Sequence, residues 1–454
     1  MSIVGKNAVL LQVRMLVAMV VGLVTSRVTL QQLGIDDYGA YSLVWGVLTL
    51  IVFANNTLCN ASVRFLSVDL ANNTTGAIKS TFSACRRAHL YTAIVVLVVA
   101  ETAGLAYMFF IANIPDGRFS AVMAVYQISL VIVAATILQS PYSSLLIARE
   151  RMDVYAGIEI FNVSLKLMLV YLLIVCNSDK LITLTVFYAA LSLVVFCCYR
   201  YYCRKKFDEA KNVKYIDKAK CRGIIIFSAK DLYGNACVSV RDNGFVLVMN
   251  YFFGVAYNAA CNIATVANRA FAGLASNVLF AYKPQITMSY ARNDFREMSV
   301  LIGRSTFGSV AVMGFATAIA IQFMPALLKT WLGTVPDNAV IFTNLLLLTG
   351  FVETAFNPLV SAIHSSGKIK ALSFLNGSLY LLNLPIMIGL FWLGLPAAAA
   401  YIGIIAMDIV IWFSTVIIAR RVIPGMSLTN YFMSLIAAIS ISTAVGFIIH
   451  LAFA

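Results

Sequence analysis

Six basic side chains lie inside long apolar stretches of this sequence, and anion binding is the chemistry they offer: Arg14, Arg27, Lys166, Lys230, Arg241 and Arg269. An arginine or lysine at the centre of a membrane-spanning helix costs about 2.5–3.5 kcal/mol on insertion scales. Such residues therefore usually face a polar cavity or a partner. Lys230 and Arg241 are eleven residues apart, so they share one helix face to within about 20°. Asp231 and Asp242 share a second face, and this pattern indicates a helix that borders a polar cavity.

Three of the basic positions have a simpler reading as well. Arg14 and Arg27 lie within two turns of the end of their apolar stretch, where a long side chain can reach the membrane interface. Arg64, in "SVRF", follows the second stretch and could meet an anionic ligand on entry. It could equally be one of the positive charges that accumulate on the cytoplasmic side of a membrane protein.

Six acidic residues are embedded too: Glu101, Glu159, Asp231, Asp242, Glu353 and Asp408. Glu101, Glu159, Glu353 and Asp408 are candidates for coupling transport to protons or sodium ions. The commoner role is to pair with a nearby cation. Glu159 and Lys166 are seven residues apart on one helix face, which fits such an internal network.

Uncharged polar residues are concentrated in two stretches, "NNTLCN" and "NAACNIATVANR". They contain the candidate glycan-contacting residues Asn55, Asn56, Asn60, Asn258, Asn262 and Asn268. Asparagine amides can hydrogen-bond sugar hydroxyls, but they also join neighbouring helices in membranes. Both readings stay open from the sequence.

The composition places all these residues in a membrane protein. The chain of 454 residues is 61% hydrophobic and only 11% charged, against roughly 25% charged residues in a soluble domain. Apolar runs of about 20 residues, the length that crosses a bilayer as a helix, recur throughout. The fold class is therefore all-α, a polytopic membrane protein of about thirteen helices. The predicted spans are 8–30, 40–62, 90–112, 119–141, 154–176, 181–203, 223–249, 256–282, 304–327, 340–363, 371–393, 396–419 and 429–451.

Charge in the loops predicts the orientation. Most of the 33 lysines and arginines fall in the N-terminal segment and in alternate loops, whereas only Arg118, Lys180 and Lys329 fall in the opposite loops. The positive-inside rule then places the N-terminus in the cytoplasm. The net charge of +14 is mostly this topology signal, so we expect no nucleic-acid partner.

The longest basic loop predicts a division into two lobes of equal orientation. Six spans precede it, so the second half enters the membrane in the same direction, as in transporters with parallel repeats. Gly34 precedes Arg64 by thirty residues and Gly254 precedes Pro284 by thirty, which is a faint internal repeat. The predicted organisation is a six-helix lobe over 1–206, a basic cytoplasmic loop over 207–222, a six-helix lobe over 223–428 and an extra C-terminal helix over 429–454.

A family resemblance covers nearly the whole chain. "NAVLLQVRMLVAMVVGLVTSRVTLQQLGIDDYGAYSLVWG" at Asn7 resembles the opening of Wzx-type polysaccharide flippases of the multidrug/oligosaccharidyl-lipid/polysaccharide (MOP) exporter superfamily. Further similar stretches are "ASVRFLS", "QSPYSSLLIARERMDVYAGIEIFNVSLKL", "FFGVAYNAACNIATVANRAF", "KPQITMSYARND" and "LLKTWLGTVPD". Close relatives tend to carry a fourteenth helix and a basic tail, whereas this chain ends at "IIHLAFA" after thirteen predicted spans, which leaves its C-terminal topology open.

The resemblance implies a twelve-helix, two-lobed core like that of MATE transporters, plus the C-terminal helix. It implies a flippase of the bacterial cytoplasmic (inner) membrane that carries undecaprenyl-pyrophosphate-linked oligosaccharide for surface polysaccharide biosynthesis, by alternating access of the lobes around a cationic cavity. Arg14, Arg27, Arg64, Lys230, Arg241 and Arg269 would contact this cargo. A polysaccharide polymerase and chain-length machinery are the implied protein partners, and we expect no cofactor and no metal.

Three rival functions stay open: two other transporters and, from a different class, an enzyme. One transporter would carry a lipid-linked peptidoglycan precursor. A drug or cation antiporter of the same superfamily would favour acids facing its cavity without competing arginines, whereas here each embedded acid is matched by a cation. A membrane-embedded polymerase or glycosyltransferase would need a large outer loop, and the predicted outer loops are short. We expect no catalytic residues and no nucleotide binding, because the phosphate-binding pattern G-x-x-x-x-G-K-[ST] does not occur.

Overall fold

The computed structural model describes residues 3–71, 75–115, 117–211, 217–368, 370–423 and 425–453. Within them the regular structure is helical, which gives an all-α polytopic membrane protein. The α-helices are α1 (Ile3–Ala71), α2 (Thr75–Val99), α3 (Leu105–Phe110), α4 (Phe119–Ala148), α5 (Met152–Leu172), α6 (Lys180–Lys206), α7 (Lys218–Phe253), α8 (Val255–Ala291), α9 (Phe295–Leu332), α10 (Ala339–Ser366), α11 (Lys370–Trp392), α12 (Ala398–Val422) and α13 (Thr429–Phe453).

Eleven segments of the described residues are long and apolar enough to cross a membrane. The first of them, Arg14–Leu70, has 57 residues. It includes the predicted span 40–62 and residues 14–30 of the predicted span 8–30. Its helix α1 is interrupted at Gly34, whose backbone is non-helical with φ 78° and ψ 176°. Only glycine adopts such a conformation readily, so Gly34 divides α1 into two arms.

The helix α7 is not among those eleven segments, although the sequence predicts a span over 223–249. Its apolar residues are interrupted by the charged pairs Lys230–Asp231 and Arg241–Asp242. These charges lower its mean hydropathy below that of a typical span. The helix nevertheless continues over 36 residues, from Lys218 to Phe253.

Predicted span 90–112 contains a π-helical turn, Ala100–Gly104, between α2 and α3. The buried Tyr126 of α4 donates its hydroxyl to the Ala100 carbonyl at 2.7 Å. A Cβ atom at Gly104 would lie within 2.1 Å of that hydroxyl oxygen. A π-helical turn is wider than an α-helical turn. The turn therefore forms where the Tyr126 hydroxyl approaches the helix backbone.

The chain divides into two compact units, residues 1–258 and 259–454. In the first unit one apolar core joins the second arm of α1 to α2 and α4, with Leu43, Val125 and Ile137 fully buried. A second core lies around Leu145 and Tyr199. The helix α7, assigned by sequence to the second lobe, packs in this unit against α1 and α2.

The second unit contains α9 to α13 and most of α8. The C-terminal helix α13 packs closely on α9 through small residues: a Cβ atom at Gly303 would lie 2.9 Å from the Asn430 carbonyl oxygen, and one at Gly314 would lie 2.2 Å from Ser442 Oγ. Tyr431 of α13 also donates to the Ala355 carbonyl of α10 at 2.9 Å. The extra helix over 429–454 is thus an integral part of this unit.

Ion pairs hold the helix ends of the first unit. Arg118, before α4, binds Asp37 in α1 at 2.6 Å and Asp179, the N-cap of α6, at 2.5 Å. At the basic end of the unit Arg149 binds Glu209 and Lys220 binds Asp69. Residues far apart in sequence are in this way joined at both ends of the helices.

Candidate functional site

The predicted cationic residues of the first unit lie in different surroundings. Arg14 is half-buried and donates to the Tyr155 hydroxyl at 3.2 Å. Arg27 is exposed. Arg64 is also exposed, and its guanidinium carbon lies 4.5 Å from the centre of the Phe227 ring, a cation–π contact.

On α7, Arg241 donates to its neighbour Asp242 at 2.7 Å, and its side chain is only 13% exposed. The Lys230 side chain lies outside the described residues. In the second unit Arg269 of α8 is exposed. Its position, fourteen residues after the start of α8 at Val255, places it about 21 Å along the helix.

The predicted polar positions also separate into buried and exposed residues. Asn55 is buried and donates to the Ser140 hydroxyl at 3.0 Å, whereas Asn56 and Asn60 are exposed. Asn55 therefore joins α1 to α4, which is the interhelical role considered above. Asn56 and Asn60 stay open to a ligand.

The second polar stretch shows a similar separation. Asn258 is fully buried, and neither its amide nitrogen nor its oxygen has a hydrogen-bonding partner among the described residues. Asn262 and Asn268 are half-buried. In the second unit Asn268 lies beside Gly350, where a Cβ atom would be 2.5 Å from Asn268 Oδ1.

The four candidate coupling acids have equally distinct environments. Glu101, in the π-helical turn, is exposed and accepts from Gln127 at 3.2 Å. Glu159 of α5 accepts from the Tyr199 hydroxyl at 2.7 Å. Glu353 of α10 is half-buried and Asp408 of α12 is fully buried. Within the described part of the chain, no group of three histidine, cysteine or acidic residues could hold a metal ion.

Lys166 and Glu159 do not form the direct pair that their spacing suggests. Seven residues of helix separate their Cα atoms by about 10.5 Å along the axis. Each instead contacts a tyrosine of α6. Glu159 accepts a hydrogen bond from the Tyr199 hydroxyl, and Lys166 Nζ lies 5.6 Å from the centre of the Tyr188 ring. Glu159 acts on Lys166 only as a more distant charge.

Lys166 lines a cavity of about 240 Å³ inside the first unit. We call it the Lys166 cavity. Four helices contribute to it, and each contributes one stripe of side chains at helical spacing. These are Tyr41 and Trp45 of α1, Ile132, Thr136 and Gln139 of α4, Asn162 and Lys166 of α5, and Tyr188, Ser192 and Val195 of α6.

The polar atoms of the cavity are available to a ligand. Thr136 and Ser192 donate their hydroxyl protons to helix carbonyls, which leaves oxygen lone pairs as acceptors. Gln139 and Asn162 make no hydrogen bond within the part of the chain that the structure describes. The cavity thus combines aromatic faces, two amides and one cation at the middle of α4, α5 and α6.

Sequence reasoning missed most of this lining, because each residue alone resembles an ordinary interior position. The signal that could have found it is the i, i+4, i+7 repetition of polar or aromatic residues on one face of each span. Asn162 and Lys166 on α5 are the plainest instance.

No protein-family model matches the chain, and no curated protein matches it in sequence. Solved structures do. The lipid II flippase MurJ in an inward closed conformation superposes with a TM-score of 0.73 at 11% identity, covering 98% of each chain. An inward-facing multidrug resistance MATE family transporter of the MOP superfamily gives 0.69 at 11% identity, over 92% of this chain and 98% of that one.

An outward-facing MATE structure of the same description gives a TM-score of 0.63 at 13% identity, over 92% of this chain and 96% of that one. The chain has a MATE-like fold. That fold is common to the MATE transporters and MurJ, so the predicted all-α, MATE-like fold is confirmed. Sequence identities this low leave cargo and mechanism to be argued from this chain's own residues.

Proposed function

We propose that the protein is a flippase that carries an undecaprenyl-pyrophosphate-linked oligosaccharide across the bacterial cytoplasmic membrane, with its N-terminus in the cytoplasm. The observation that carries this proposal is cationic and amide chemistry inside a helical bundle of MATE-like fold. Its product would supply a polysaccharide polymerase and chain-length machinery.

The cargo sets physical requirements that named residues can meet. Two unit charges about 4 Å apart interact by roughly 4 kcal/mol at an effective dielectric of 20, so a pyrophosphate in an apolar slab needs nearby cations. Arg27 and Arg269 are exposed and make no ion pair among the described residues. Their guanidinium groups can bind phosphate oxygens through two parallel hydrogen bonds, which lysine cannot do.

The antiporter alternative would want an acidic cavity for an organic cation. The Lys166 cavity presents an ammonium group and no carboxylate. A cation in that place repels a cationic drug, which counts against the antiporter.

The test is flipping of a fluorescent undecaprenyl-pyrophosphate-linked oligosaccharide by the purified protein in liposomes. We expect Arg269→Lys to reduce the rate partially and Arg269→Gln to reduce it strongly, with protein levels unchanged. Lys329→Gln, which removes an exposed cation at the end of α9, is the matched control. Flipping at the normal rate by the combined Arg27→Gln, Arg241→Gln and Arg269→Gln variant would refute the proposal, as would transport of a cationic dye in its place.

A further inference from the structure

The Lys166 cavity has a composition that selects one kind of ligand. It holds a single cation, two amides and three aromatic side chains, and it lies inside the first unit rather than at a helix end. A lysine in the middle of an apolar span is costly unless its charge is compensated. Lys166 has no carboxylate within 4.0 Å in the described residues, and its ammonium rests on the Tyr188 ring.

The single charge limits the ligand to a monoanion. A pyrophosphate brings at least two negative charges, and one ammonium would leave the remainder uncompensated in a low-dielectric site. A carboxylate carries one negative charge and so matches one ammonium group, which is a point charge without the bidentate geometry of a guanidinium. The cavity is therefore poorly suited to the lipid pyrophosphate and well suited to a carboxylate.

The remaining groups point to a sugar ring. Tyr41 and Trp45 lie edge to face with ring centres 6.2 Å apart, and they offer apolar surfaces with polar edges. Gln139 and Asn162 each offer a donor and an acceptor, the combination that neighbouring hydroxyl groups need. The volume of about 240 Å³ exceeds many times the roughly 15 Å³ that one water requires, so a six-membered ring can enter.

We propose that the Lys166 cavity binds one carboxylate-bearing sugar, a uronic-acid unit, of the glycan that the protein carries. Lys166 holds the carboxylate, the amides of Gln139 and Asn162 bind ring hydroxyls, and the aromatic pair covers the ring. The inference rests on the proposed flippase function for its biological meaning, but the binding it asserts is measurable without transport.

The experiment titrates the purified full-length protein with methyl glucuronide, methyl glucoside or acetate, and follows tryptophan fluorescence. Trp45 lines the cavity, so the response should vanish in Trp45→Phe. We expect methyl glucuronide to bind about tenfold or more tightly than the uncharged glucoside. Acetate, which lacks the ring, should bind more weakly than the glucuronide.

Two variants of Lys166 separate charge from folding. Lys166→Met keeps an apolar side chain on Tyr188 and should equalise the two glycosides, whereas Lys166→Arg keeps the charge and should retain the preference. Lys329→Gln should behave as the unaltered protein. Equal binding of glucuronide and glucoside by the unaltered protein, an unchanged preference in Lys166→Met, or acetate binding as tight as the glucuronide would each overturn the inference.

The two proposals fail separately. Selective glucuronide binding without lipid-linked oligosaccharide transport would leave the sugar site standing and remove the flippase. Flipping of a neutral oligosaccharide by a protein that shows no glucuronide preference would support the flippase and refute the sugar site.

Discussion

Gly34 and Gly254 share one backbone conformation, with φ and ψ of 78° and 176° at Gly34 and of 84° and −175° at Gly254. Each glycine separates two long helical arms, and each is followed by a tyrosine-bearing helix start. A duplicated unit would carry the same turn at equivalent positions. The matching dihedral angles therefore strengthen the sequence argument for an internal repeat.

Replacing either glycine by alanine should destabilise the protein by roughly 1–2 kcal/mol, because the positive φ strains any residue with a Cβ atom. Gly22→Ala is the control. Gly22 lies in the same helix α1, and its Cβ would meet open space, so alanine should there be neutral or slightly stabilising. Thermal unfolding of the purified protein in detergent measures the difference, and equal melting temperatures for Gly34→Ala and Gly22→Ala would contradict the explanation.

The Asp37–Arg118–Asp179 cluster gives a second prediction. Arg118→Gln removes both ion pairs and leaves two carboxylates close together, so we expect a loss of about 1 kcal/mol in the free energy of unfolding. Arg151→Gln is the matched control, because its pair with Asp153 is more exposed, at 43% and 48% of the side chains. Loss of stability in both variants alike would show that the Arg118 geometry has no special role.

The same cluster predicts a pH dependence. Hydrogen bonding from Arg118 lowers the pKa of the Asp179 carboxyl below its ordinary value. The stabilisation is then complete above the unfolded pKa of about 3.9 and is lost as the pH falls through the lower folded value. The part of the melting-temperature difference between the unaltered protein and Arg118→Gln that comes from the Arg118–Asp179 pair should therefore be constant at neutral pH and shrink below about pH 4.

Local pattern was sufficient for the helices and their turns. Apolar runs of about 20 residues predicted the spans, and the gap between the predicted spans 8–30 and 40–62 contains Gly34, where α1 breaks. The π-helical turn was not predictable, because it depends on the Tyr126 hydroxyl reaching Ala100 from another helix. Likewise, the charges of α7 indicated a cavity wall but not that this helix packs in the first unit.

The candidate site depends even more on contacts between helices, which the sequence does not reveal. The embedded basic residues are visible in the sequence, but the partner of each is not. Lys166 and Glu159 share a helix face, yet each contacts a different tyrosine of α6. The Lys166 cavity exists only because four helices bring their stripes together, and helix neighbours cannot be read from one sequence.

The predicted topology can be tested by labelling. In a cysteine-free background, membrane-impermeant labelling of intact cells should reach cysteines at Gly117 and Asp337 and should miss one at Asn293. All three positions are exposed in the structure, so a difference in labelling reports the side of the membrane rather than burial. External labelling at Asn293 would reverse the orientation predicted from the basic loops.

Energy coupling gives the last prediction, and burial ranks its candidates. Asp408 is fully buried in α12, whereas Glu101 is exposed and already bonded to Gln127. Asn376 of α11 donates to Thr415 of α12 at 2.9 Å. The two helices are antiparallel. Seven residues after Asn376 on α11 comes Asn383, and seven residues before Thr415 on α12 comes Asp408. Both are buried.

A buried carboxylate changes its proton or ion occupancy when its surroundings change, which is what coupling requires. Asp408→Asn should abolish the dependence of flipping on pH or sodium while sugar binding persists, and Glu101→Gln should leave that dependence intact. Glu159→Gln and Glu353→Gln complete the series, measured as flipping rates in liposomes with imposed gradients. If all four amides respond to the gradients as the unaltered protein does, none of these acids couples transport, and the driving force must come from elsewhere, such as consumption of the flipped product.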